Sequence, residues 1–243
     1  MNKTADYILT IVIPVYNEED NIERLHKMVS AYLKVCPVRA CALFVNDGSK
    51  DDSIALIEAA CQTEPDFYYV SLQKNRGLSA AMKAGIDVAD SRLIGYMDAD
   101  MQTDVRDFDL LLKYAEKYPL VMGIRAERKD SFFKRLQSKI ANSFRRMMTH
   151  DGATDTGCPL KILHTDYAKR IPFFTGMHRF LPALIKLQEG GSFYEIPVRH
   201  YPRQAGVSKY HLWNRLISPL KDCFAYRWMA HRYINYRIDG SNL

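Results

Sequence analysis

Residues 9–20 read LTIVIPVYNEED, in which seven mostly apolar residues are followed directly by polar and acidic side chains. A short apolar run bounded by polar residues is typical of a strand that is buried on both faces. Residues 18–33 then carry apolar side chains three or four positions apart, which is the spacing of an amphipathic helix. This opening stretch therefore predicts a strand over 9–15 that leads directly into a helix.

The same alternation continues along the first half of the chain. Strands joined to helices by short connections predict a mostly parallel sheet covered by helices, which is the architecture of an α/β fold. No internal repeat and no linker composition marks a second unit. The further elements predicted here are strands over 42–45, 67–72, 93–97 and 120–124 and helices over 53–60, 78–89 and 105–117.

The second half of the chain is less regular and more basic. Residues 132–148 and 212–228 each combine helical spacing of apolar side chains with interleaved Lys and Arg. An apolar stripe of this kind packs on the protein's own core or lies on a membrane surface, and both interpretations stay open. Further strands are predicted over 160–163 and 192–198.

The net charge of +6 is unevenly distributed. Residues 124–146 carry +6 and residues 199–238 carry +7, so the rest of the chain carries −7. Basic segments on an acidic body indicate a phosphorylated partner, a polyanion or a membrane surface rather than general solubility. The composition, with 47% hydrophobic and 26% charged residues, excludes disordered, collagen-like and low-complexity classes.

Cysteine usage and the N-terminus bear on the compartment. The five cysteines form no CxxC pair, which argues against a disulfide framework or a zinc site and favours a reducing compartment. The N-terminus lacks the pattern of a signal peptide, and no stretch approaches the roughly 20 apolar residues of a membrane-spanning helix. We expect a cytoplasmic protein that does not cross a membrane but can lie on one.

Polar clusters follow three of the predicted strands, at Asn17-Glu18, Asp47-Gly48-Ser49 and Asp98–Gln102. Ligands of open parallel sheets bind outside the carboxyl ends of the strands. Each cluster alone is a weak signal, because short acidic patterns are common by chance. Three clusters at coincident strand ends together predict a binding site.

Asp98, Asp100 and Gln102 stand at alternate positions after the predicted strand over 93–97. If this stretch stays extended, the three side chains project to one side. Carboxylate and amide oxygens are hard ligands that suit Mg²⁺ or Mn²⁺, and such a metal could bridge a diphosphate. A solvated acidic turn is the alternative, and the position of the motif after a buried strand favours the metal site.

Asp47 and Arg76 are further candidates for contact with a nucleotide. A carboxylate at a strand end can accept hydrogen bonds from a base or a ribose, although Asp47-Gly48-Ser49 also suits a plain turn or a helix cap. Asn75-Arg76-Gly77 would bring a cation and a close backbone approach to the ligand, or it simply starts the next helix.

Four segments, in this order and spacing, resemble the GT-A glycosyltransferases of family 2: IVIPVYNEEDNI (11–22), FVNDGSKDDS (44–53), NRGLSAAMKAG (75–85) and YMDADMQTD (96–104). Three later segments resemble the polyprenyl-phosphate and dolichol-phosphate sugar transferases: MGIRAERKD (122–130), DTGCPLKI (155–162) and YPRQAGVSKY (201–210). The resemblance covers roughly residues 8–210. It implies a GT-A catalytic domain over 1–210, with interfacial helices at 131–150, and an amphipathic, aromatic helical extension over 211–243.

The resemblance also implies a role for each residue that matches a family motif. DTGCPLKI departs from the Ser/Cys-Gly-Phe-type sequence of many relatives, so an acceptor-side role for Asp155 is doubtful. His178-Arg179 is interpreted as a surface turn in preference to a lipid-phosphate contact.

The implied nucleotide-sugar contacts are Pro14, Tyr16, Glu18, Asp47, Arg76 and Asp98. The implied metal ligands are Asp98, Asp100 and Gln102, the implied acceptor-phosphate contacts are Arg125, Arg203, Ser208 and Lys209, and the catalytic set is Asp98, Asp100, Arg125, Arg203 and Lys209.

The reaction implied by the resemblance is inverting transfer of a sugar from a UDP- or GDP-sugar to a polyprenyl phosphate at the inner face of the cell membrane. A phosphate monoester, with a second pKa of about 6, is mostly dianionic at pH 7 and needs no general base. One alternative is a family 2 enzyme with a saccharide acceptor in cell-envelope polysaccharide synthesis, which would need a carboxylate base. Another is a non-catalytic membrane-surface adaptor, against which the intact acidic motif argues. No nucleic-acid partner is expected, and a homo-oligomer or a membrane-protein partner stays open.

Overall fold

The computed structural model describes residues 3–125, 143–201, 212–235 and 239–240, and for 212–219 it describes the backbone only. Strands and helices alternate through the first half, as the sequence predicts. The strands are β1 (Leu9–Val15), β2 (Ala40–Asn46), β3 (Phe67–Ser71), β4 (Leu93–Tyr96), β5 (Leu120–Arg125), β6 (Lys161–His164) and β7 (Phe193–Val198). The helices are α1 (Glu19–Leu33), α2 (Ser53–Thr63), α3 (Leu78–Val88), α4 (Phe108–Leu112), α5 (143–149), α6 (Thr165–Lys169), α7 (Leu181–Leu187) and α8 (Leu212–Ala230), with 3₁₀ turns at Val105–Asp107 and Met177–Arg179.

The described strands form one seven-stranded sheet in the order β3-β2-β1-β4-β6-β5-β7. β3, β2, β1 and β4 pair in parallel, and so do β5 and β7. β6 lies between β4 and β5 and is antiparallel to both. The predicted α/β fold with a mostly parallel sheet is therefore confirmed, and the reversed β6 is the feature that strand–helix alternation did not reveal.

The register aligns the carboxyl ends of the parallel strands at one edge of the sheet. Val15 pairs with Asn46 at the ends of β1 and β2, and Val12 pairs with Tyr96 at the end of β4. Because β6 runs the other way, its first residue, Lys161, lies opposite Tyr96 at this same edge. The residues that follow β1, β2 and β4 therefore start from neighbouring positions.

Apolar side chains cover both faces of the sheet. One layer packs α1, α2 and α4 against the sheet through Leu25, Ile57 and Phe108, all fully buried. The other layer packs α3, α7 and α8, and α8 contributes Cys223 and Tyr226. The predicted C-terminal extension thus shares this core along one face of its helix, while the boundary at residue 210 stays a prediction.

The region predicted as one helix over 105–117 is broken into shorter pieces, so this prediction is wrong in its length. The Asp104 carboxylate accepts a hydrogen bond from the backbone N–H of Arg106 and turns the chain into a 3₁₀ turn. After α4, the backbone N–H groups of Tyr114 and Ala115 donate to the carbonyls of Leu111 and Leu112. These bonds span three residues, as in tight turns, instead of the four residues of an α-helix. Local side-chain bonding and tight turns compete here with the regular helix that the apolar spacing favours.

Residues 132–148 were predicted as one amphipathic helix. Positions 143–149 are helical, while 126–142 lie outside the described residues. Within the described ranges, no helix is both long enough and apolar enough to cross a membrane.

Candidate active site

The loops after β1 and β2 are joined by hydrogen bonds at the carboxyl edge of the sheet. The backbone N–H of Asn17 donates to Ser49 Oγ over 3.0 Å, and the Asn17 side-chain oxygen accepts from the backbone N–H of Lys50 over 2.8 Å. Asn17 itself has a left-handed backbone conformation, with φ of 50°. Glu18 N–H donates to Ser53 Oγ at the start of α2. The first two polar clusters thus form one continuous wall.

Asp47 anchors the loop that leads into α3. Its carboxylate is 3% exposed and accepts from the backbone N–H groups of Arg76 (2.7 Å) and Gly77 (2.8 Å) and from Asn75 Nδ2 (2.9 Å). The sequence predicted a direct nucleotide contact for Asp47. The structure shows a carboxylate that fixes the 75–77 loop, and the nucleotide contact stays a prediction.

Gly48 allows this loop to approach β2. It has φ of +65°, and a Cβ at this position would lie 2.5 Å from the carbonyl carbon of Lys74. Both the left-handed backbone and the missing side chain are therefore required here, because L-residues avoid this φ and the neighbouring group is main chain. A glycine directly after the strand-end Asp47 is thus explained by close packing of two backbone segments.

The other predicted donor-side residues lie on the same wall. Pro14 is buried within β1, opposite Val45 of β2, and Tyr16 is half-buried just after β1. The Glu18 carboxylate accepts from Asn21 Nδ2 over 2.7 Å. The side chain of Arg76 is exposed above the loop that Asp47 holds. The structure therefore brings all the predicted nucleotide residues to one edge of the sheet.

The acidic motif after β4 forms a turn, so the condition of an extended stretch, under which its three side chains would project to one side, is not met. Met101 has φ of 62°, and Asp100 Oδ1 accepts from the backbone N–H of Gln102 over 3.2 Å, a local bond that reverses the chain. Asp98 Oδ1 accepts from the Tyr96 hydroxyl over 2.7 Å, and Asp100 is almost fully buried. Asp98 and Asp100 thus have different surroundings, and their side chains do not lie on one face of an extended strand.

Gln102 ties this turn to the chain that follows β7. Its backbone carbonyl accepts from Tyr201 N–H over 2.8 Å, its Nε2 donates to the Tyr201 carbonyl over 3.3 Å, and Thr103 pairs with His200. The amide oxygen is the Gln102 atom suited to a metal. Arg203, Ser208 and Lys209, predicted to hold the acceptor phosphate, lie in 202–211, outside the described residues.

An ion pair fixes the chain segment directly after β7. Asp107 is 1% exposed and accepts from the backbone N–H, Nε and Nη2 of Arg199. Arg199 also contacts Asp104, with 3.0 Å between Nη1 and Oδ2. The strand end of β7 is therefore held firmly against the segment that follows the acidic motif.

Arg125 ends β5 and is paired with Asp155. Arg125 Nε and Nη2 donate to the two Asp155 oxygens over 2.8 and 2.7 Å, and the backbone N–H of Arg125 donates to Oδ2 over 3.2 Å. Glu195 in turn accepts from the backbone N–H groups of Thr154 and Asp155. Gly157 packs beside this pair, since a Cβ there would lie 2.8 Å from Arg125 Nη2. Asp155, doubtful from the sequence, is the residue that orients Arg125.

Lys161, a buried lysine at the start of β6, is not among the site residues predicted from the sequence. Its Nζ donates to the Cys158 carbonyl and lies 5.6 Å from the centre of the Tyr96 ring. Burial lowers the pKa of the Lys161 ammonium, whereas the nearby Asp98 and Asp155 carboxylates act to raise it. A lysine inside the apolar run CPLKIL was the available signal.

His178 lies on a 3₁₀ turn, but its ring is not simply at the surface. His178 Nδ1 and Ser79 Oγ are 2.7 Å apart, and the same hydroxyl accepts from the backbone N–H of Gly176. Burial, and then the charges of Arg179 and Lys161, lower the pKa of His178 to about 3. This neutral histidine anchors the turn to α3 behind the 75–77 loop.

The acidic motif fits a metal ion whose ligands come partly from the protein and partly from a bound substrate. Within the described ranges, no three or more His, Cys, Asp or Glu side chains gather closely enough to hold a metal ion. Mg²⁺ and similar ions at phosphate-transfer sites take one or two carboxylates and complete their shell with phosphate oxygens and water. Asp98, Asp100 and the Gln102 amide oxygen supply hard oxygen donors of this kind.

Residues 10–172 match the family model described as glycosyl transferase family 2. The chain belongs to this family. The family 2 chain is 35% identical over 207 residues to dodecaprenyl-phosphate galacturonate synthase from Rhizobium johnstonii, covering 83% of this chain and 61% of the relative. It is 32% identical over 222 residues to undecaprenyl-phosphate 4-deoxy-4-formamido-L-arabinose transferase from Edwardsiella ictaluri, covering 90% of this chain and 67% of that relative. The chain thus spans about three fifths to two thirds of these relatives.

Two solved structures illustrate the likeness of fold. Glucosyl-3-phosphoglycerate synthase from Mycobacterium tuberculosis, crystallised with Mn²⁺, UDP-glucose and phosphoglyceric acid, matches with a TM-score of 0.69 at 13% identity, covering 95% of this chain and 82% of that one. A mannosyltransferase from Pyrobaculum calidifontis with GDP-mannose and Mn²⁺ matches with a TM-score of 0.63 at 17% identity, covering 93% and 70%. The TM-scores show a shared fold, and at these low identities the likeness shows the fold alone.

Proposed function

We propose that this protein transfers a sugar from a nucleotide sugar to a polyprenyl phosphate, with inversion at the anomeric carbon. The observation that carries the proposal is the placement of a held guanidinium, Arg125, at the same sheet edge as the acidic motif Asp98–Gln102. An acceptor that is itself an anion requires such a cation close to the donor site. Both curated relatives, named for polyprenyl-phosphate acceptors, support this choice of acceptor.

The donor side is assigned to the wall formed by the loops after β1 and β2. Tyr16, Glu18 and the 75–77 loop, held by Asp47, would bind the nucleotide, with Arg76 facing its phosphates. Asp98, Asp100 and Gln102 would hold Mg²⁺ or Mn²⁺ together with the diphosphate. When bound, the metal neutralises charge on the departing diphosphate.

The acceptor side needs cations more than it needs a base. A phosphate monoester is mostly dianionic near pH 7, because its second pKa is about 6, so no proton has to be removed before attack. Arg125, oriented by Asp155, would hold this phosphate in line with the anomeric carbon, and we extend the role to Arg203, Ser208 and Lys209. The task of the protein is then to bring two anions together.

Incubation of the purified protein with a panel of UDP- and GDP-sugars, a short polyprenyl phosphate and Mn²⁺ tests the proposal. We expect one nucleotide sugar to give a lipid-extractable sugar phosphate, and EDTA to abolish its formation. Replacement of the lipid by saccharide acceptors is the control. Transfer to a saccharide without lipid phosphate would overturn the proposed acceptor, and hydrolysis alone with every donor would overturn the proposed reaction.

We further propose that α8 rests on the membrane surface at its cytoplasmic face. Leu220, Phe224 and Trp228 recur at four-residue spacing and are 43%, 62% and 66% exposed, on the side of α8 opposite Tyr226. Arg232 lies 5.3 Å from the Trp228 ring, which places a cation beside this stripe. Exposed aromatic residues combined with cations suit an interface with anionic lipid.

Liposome flotation tests this second proposal. The wild-type protein should float with anionic vesicles and much less with neutral ones. Replacement of Phe224 and Trp228 by Ser should weaken binding at least about tenfold, because each ring loses apolar burial worth about 2 kcal/mol. Val35→Ser, at a 69% exposed apolar position on the opposite layer, is the matched control. Equal flotation of the double variant would contradict the assignment.

A further inference from the structure

Lys161 is a buried cation whose position the proposed reaction steps do not explain. The residue is 3% exposed, and lysines are almost never buried to this extent without a partner of opposite charge. In the part of the chain that the structure describes, no carboxylate lies within 4.0 Å of its Nζ. Its ammonium has three N–H donors, and one of them donates to the Cys158 carbonyl.

The surroundings of Lys161 connect it to the acidic motif. Lys161 pairs with Tyr96 across β6 and β4, and its Nζ lies 5.6 Å from the centre of the Tyr96 ring. The hydroxyl of that same ring donates to Asp98 Oδ1 over 2.7 Å. Asp98 and Asp155 both interact electrostatically with the ammonium, and so does Arg125. The ammonium therefore lies close to both the acidic motif and the Arg125–Asp155 pair.

We propose that Lys161 is a positioning residue whose buried positive charge offsets the strand-end carboxylates, so that a nucleotide diphosphate can bind beside them. Asp155 is already paired with Arg125, so without the Lys161 charge the acidic motif with Asp98 would present a more negative potential to an anionic substrate. The proposal rests on the proposed function, because the diphosphate is the donor's group. It assigns Lys161 a role through Asp98 and Tyr96, without contact with the substrate.

An electrostatic role of this kind has a signature that a purely structural role lacks. Removal of the cation makes the site more negative, which favours a metal cation and disfavours a diphosphate. The affinities for Mn²⁺ alone and for UDP or GDP alone should therefore move in opposite directions. Because the metal and the diphosphate each carry more than one unit charge, we expect each affinity to change by at least about tenfold at an effective dielectric constant of about 20. A loosened fold would weaken both.

The test uses the full chain and the variants Lys161→Met, Lys161→Gln and Lys161→Arg. Free Mn²⁺ is measured by electron paramagnetic resonance in the absence of nucleotide, and UDP and GDP binding is measured by calorimetry in EDTA. Lys117→Met is the matched control, because Lys117 is exposed at the opposite edge of the sheet, before β5. Thermal unfolding identifies the variants that fold, and Gln replaces Met as the neutral variant if Met does not.

We expect the neutral variants to bind Mn²⁺ more tightly and the nucleotide diphosphate more weakly, with Arg and the Lys117 control close to wild type. Affinities that stay unchanged or move together in the neutral variants would overturn the inference. Should neither neutral variant fold, an Arg variant that shifts both affinities in one direction would also overturn it. A wild type that binds no nucleotide diphosphate even with Mn²⁺ would instead overturn the proposed function, and the inference with it.

Discussion

Two buried carboxylates anchor opposite sides of the candidate active site in different ways. Asp47 accepts hydrogen bonds from two backbone N–H groups and one side-chain amide, so it fixes the shape of a loop. Asp155 accepts from the guanidinium of Arg125, so it fixes the position of a charge. The proposed donor side is thus organised mainly through the main chain, and the proposed acceptor side mainly through side chains. Substitutions on the two sides should therefore separate stability and donor binding from acceptor binding.

The largest effect is expected at Asp98, where the two sides meet. Asp98→Asn keeps the size of the side chain but removes the charge that would hold the metal. We expect kcat/KM to fall at least about 100-fold with the fold retained, by analogy with the loss of a preorganised transition-state contact. Steady-state rates at fixed Mn²⁺, with circular dichroism for the fold, provide the measurement.

Asp87→Asn is the control for this change, because Asp87 is an exposed carboxylate that pairs with Lys83 on α3. Asp100→Ala should behave like Asp98→Asn. Turnover at the wild-type rate in either variant would show that Asp98 and Asp100 do not hold a metal that the reaction needs.

On the donor side, Asp47→Ala should lower both stability and nucleotide affinity. Three donors lose their acceptor, two of them backbone N–H groups, and we expect the free energy of unfolding to fall by about 2–4 kcal/mol. Urea unfolding and UDP or GDP titration in Mn²⁺ are the measurements. Asp52→Ala is the control, since Asp52 is exposed on the neighbouring loop and makes no cap hydrogen bond. A loss confined to acceptor KM would contradict the donor-side role.

On the acceptor side, Asp155→Asn should raise the KM for polyprenyl phosphate by about tenfold, the equivalent of one charge-assisted hydrogen bond. Donor KM should stay within about twofold, because no described contact joins Asp155 to the 75–77 loop. Initial rates with each substrate varied in turn separate the two constants. An effect on donor KM of the same size would show that the two sides are not independent.

The smallest effect on activity is expected at His178, behind the 75–77 loop, where the prediction concerns stability. Its pKa is about 3 in the folded protein against an ordinary value of 6.5, so between these values the unfolded chain binds a proton that the folded chain does not. Stability contributed by the neutral ring is present above pH 6.5 and falls as the pH is lowered, by about 2 kcal/mol from pH 6.5 to 5. His178→Gln should flatten this part of the stability–pH curve, measured by urea unfolding. A curve of unchanged slope would contradict the buried, neutral state.

Strands and helices whose apolar residues form a clear run or a regular spacing were predictable from the sequence. β1 was predicted within its observed bounds, and α3 and β5 within one residue, since buried apolar runs and helical spacing decide them locally. The reversed direction of β6 was not predictable, because an apolar strand of four residues carries no signal of its orientation. The broken helix at 105–117 depends on Asp104 and on the Asp107–Arg199 pair, which joins residues 92 positions apart.

The candidate site was predictable as a set of strand ends but not in its internal contacts. Motif position located Asp47, Asp98 and Arg125 at one edge, because parallel strands end together. The pairing of Arg125 with Asp155, 30 residues later, and the burial of Lys161 depend on the insertion of β6 between β4 and β5. Such contacts are set by tertiary packing rather than by local spacing.

The origin of the phosphorus in the product distinguishes transfer of a sugar to the lipid phosphate from transfer of a sugar phosphate. Polyprenyl phosphate labelled with ³²P is incubated with unlabelled nucleotide sugar and Mn²⁺, and a parallel reaction carries the label in the β-phosphate of the nucleotide sugar. Attack by the lipid phosphate on the anomeric carbon predicts one labelled phosphate per lipid-linked sugar in the first reaction and none in the second. Label from the nucleotide in the lipid product would show transfer of a sugar phosphate, which is incompatible with attack by the lipid phosphate on the anomeric carbon.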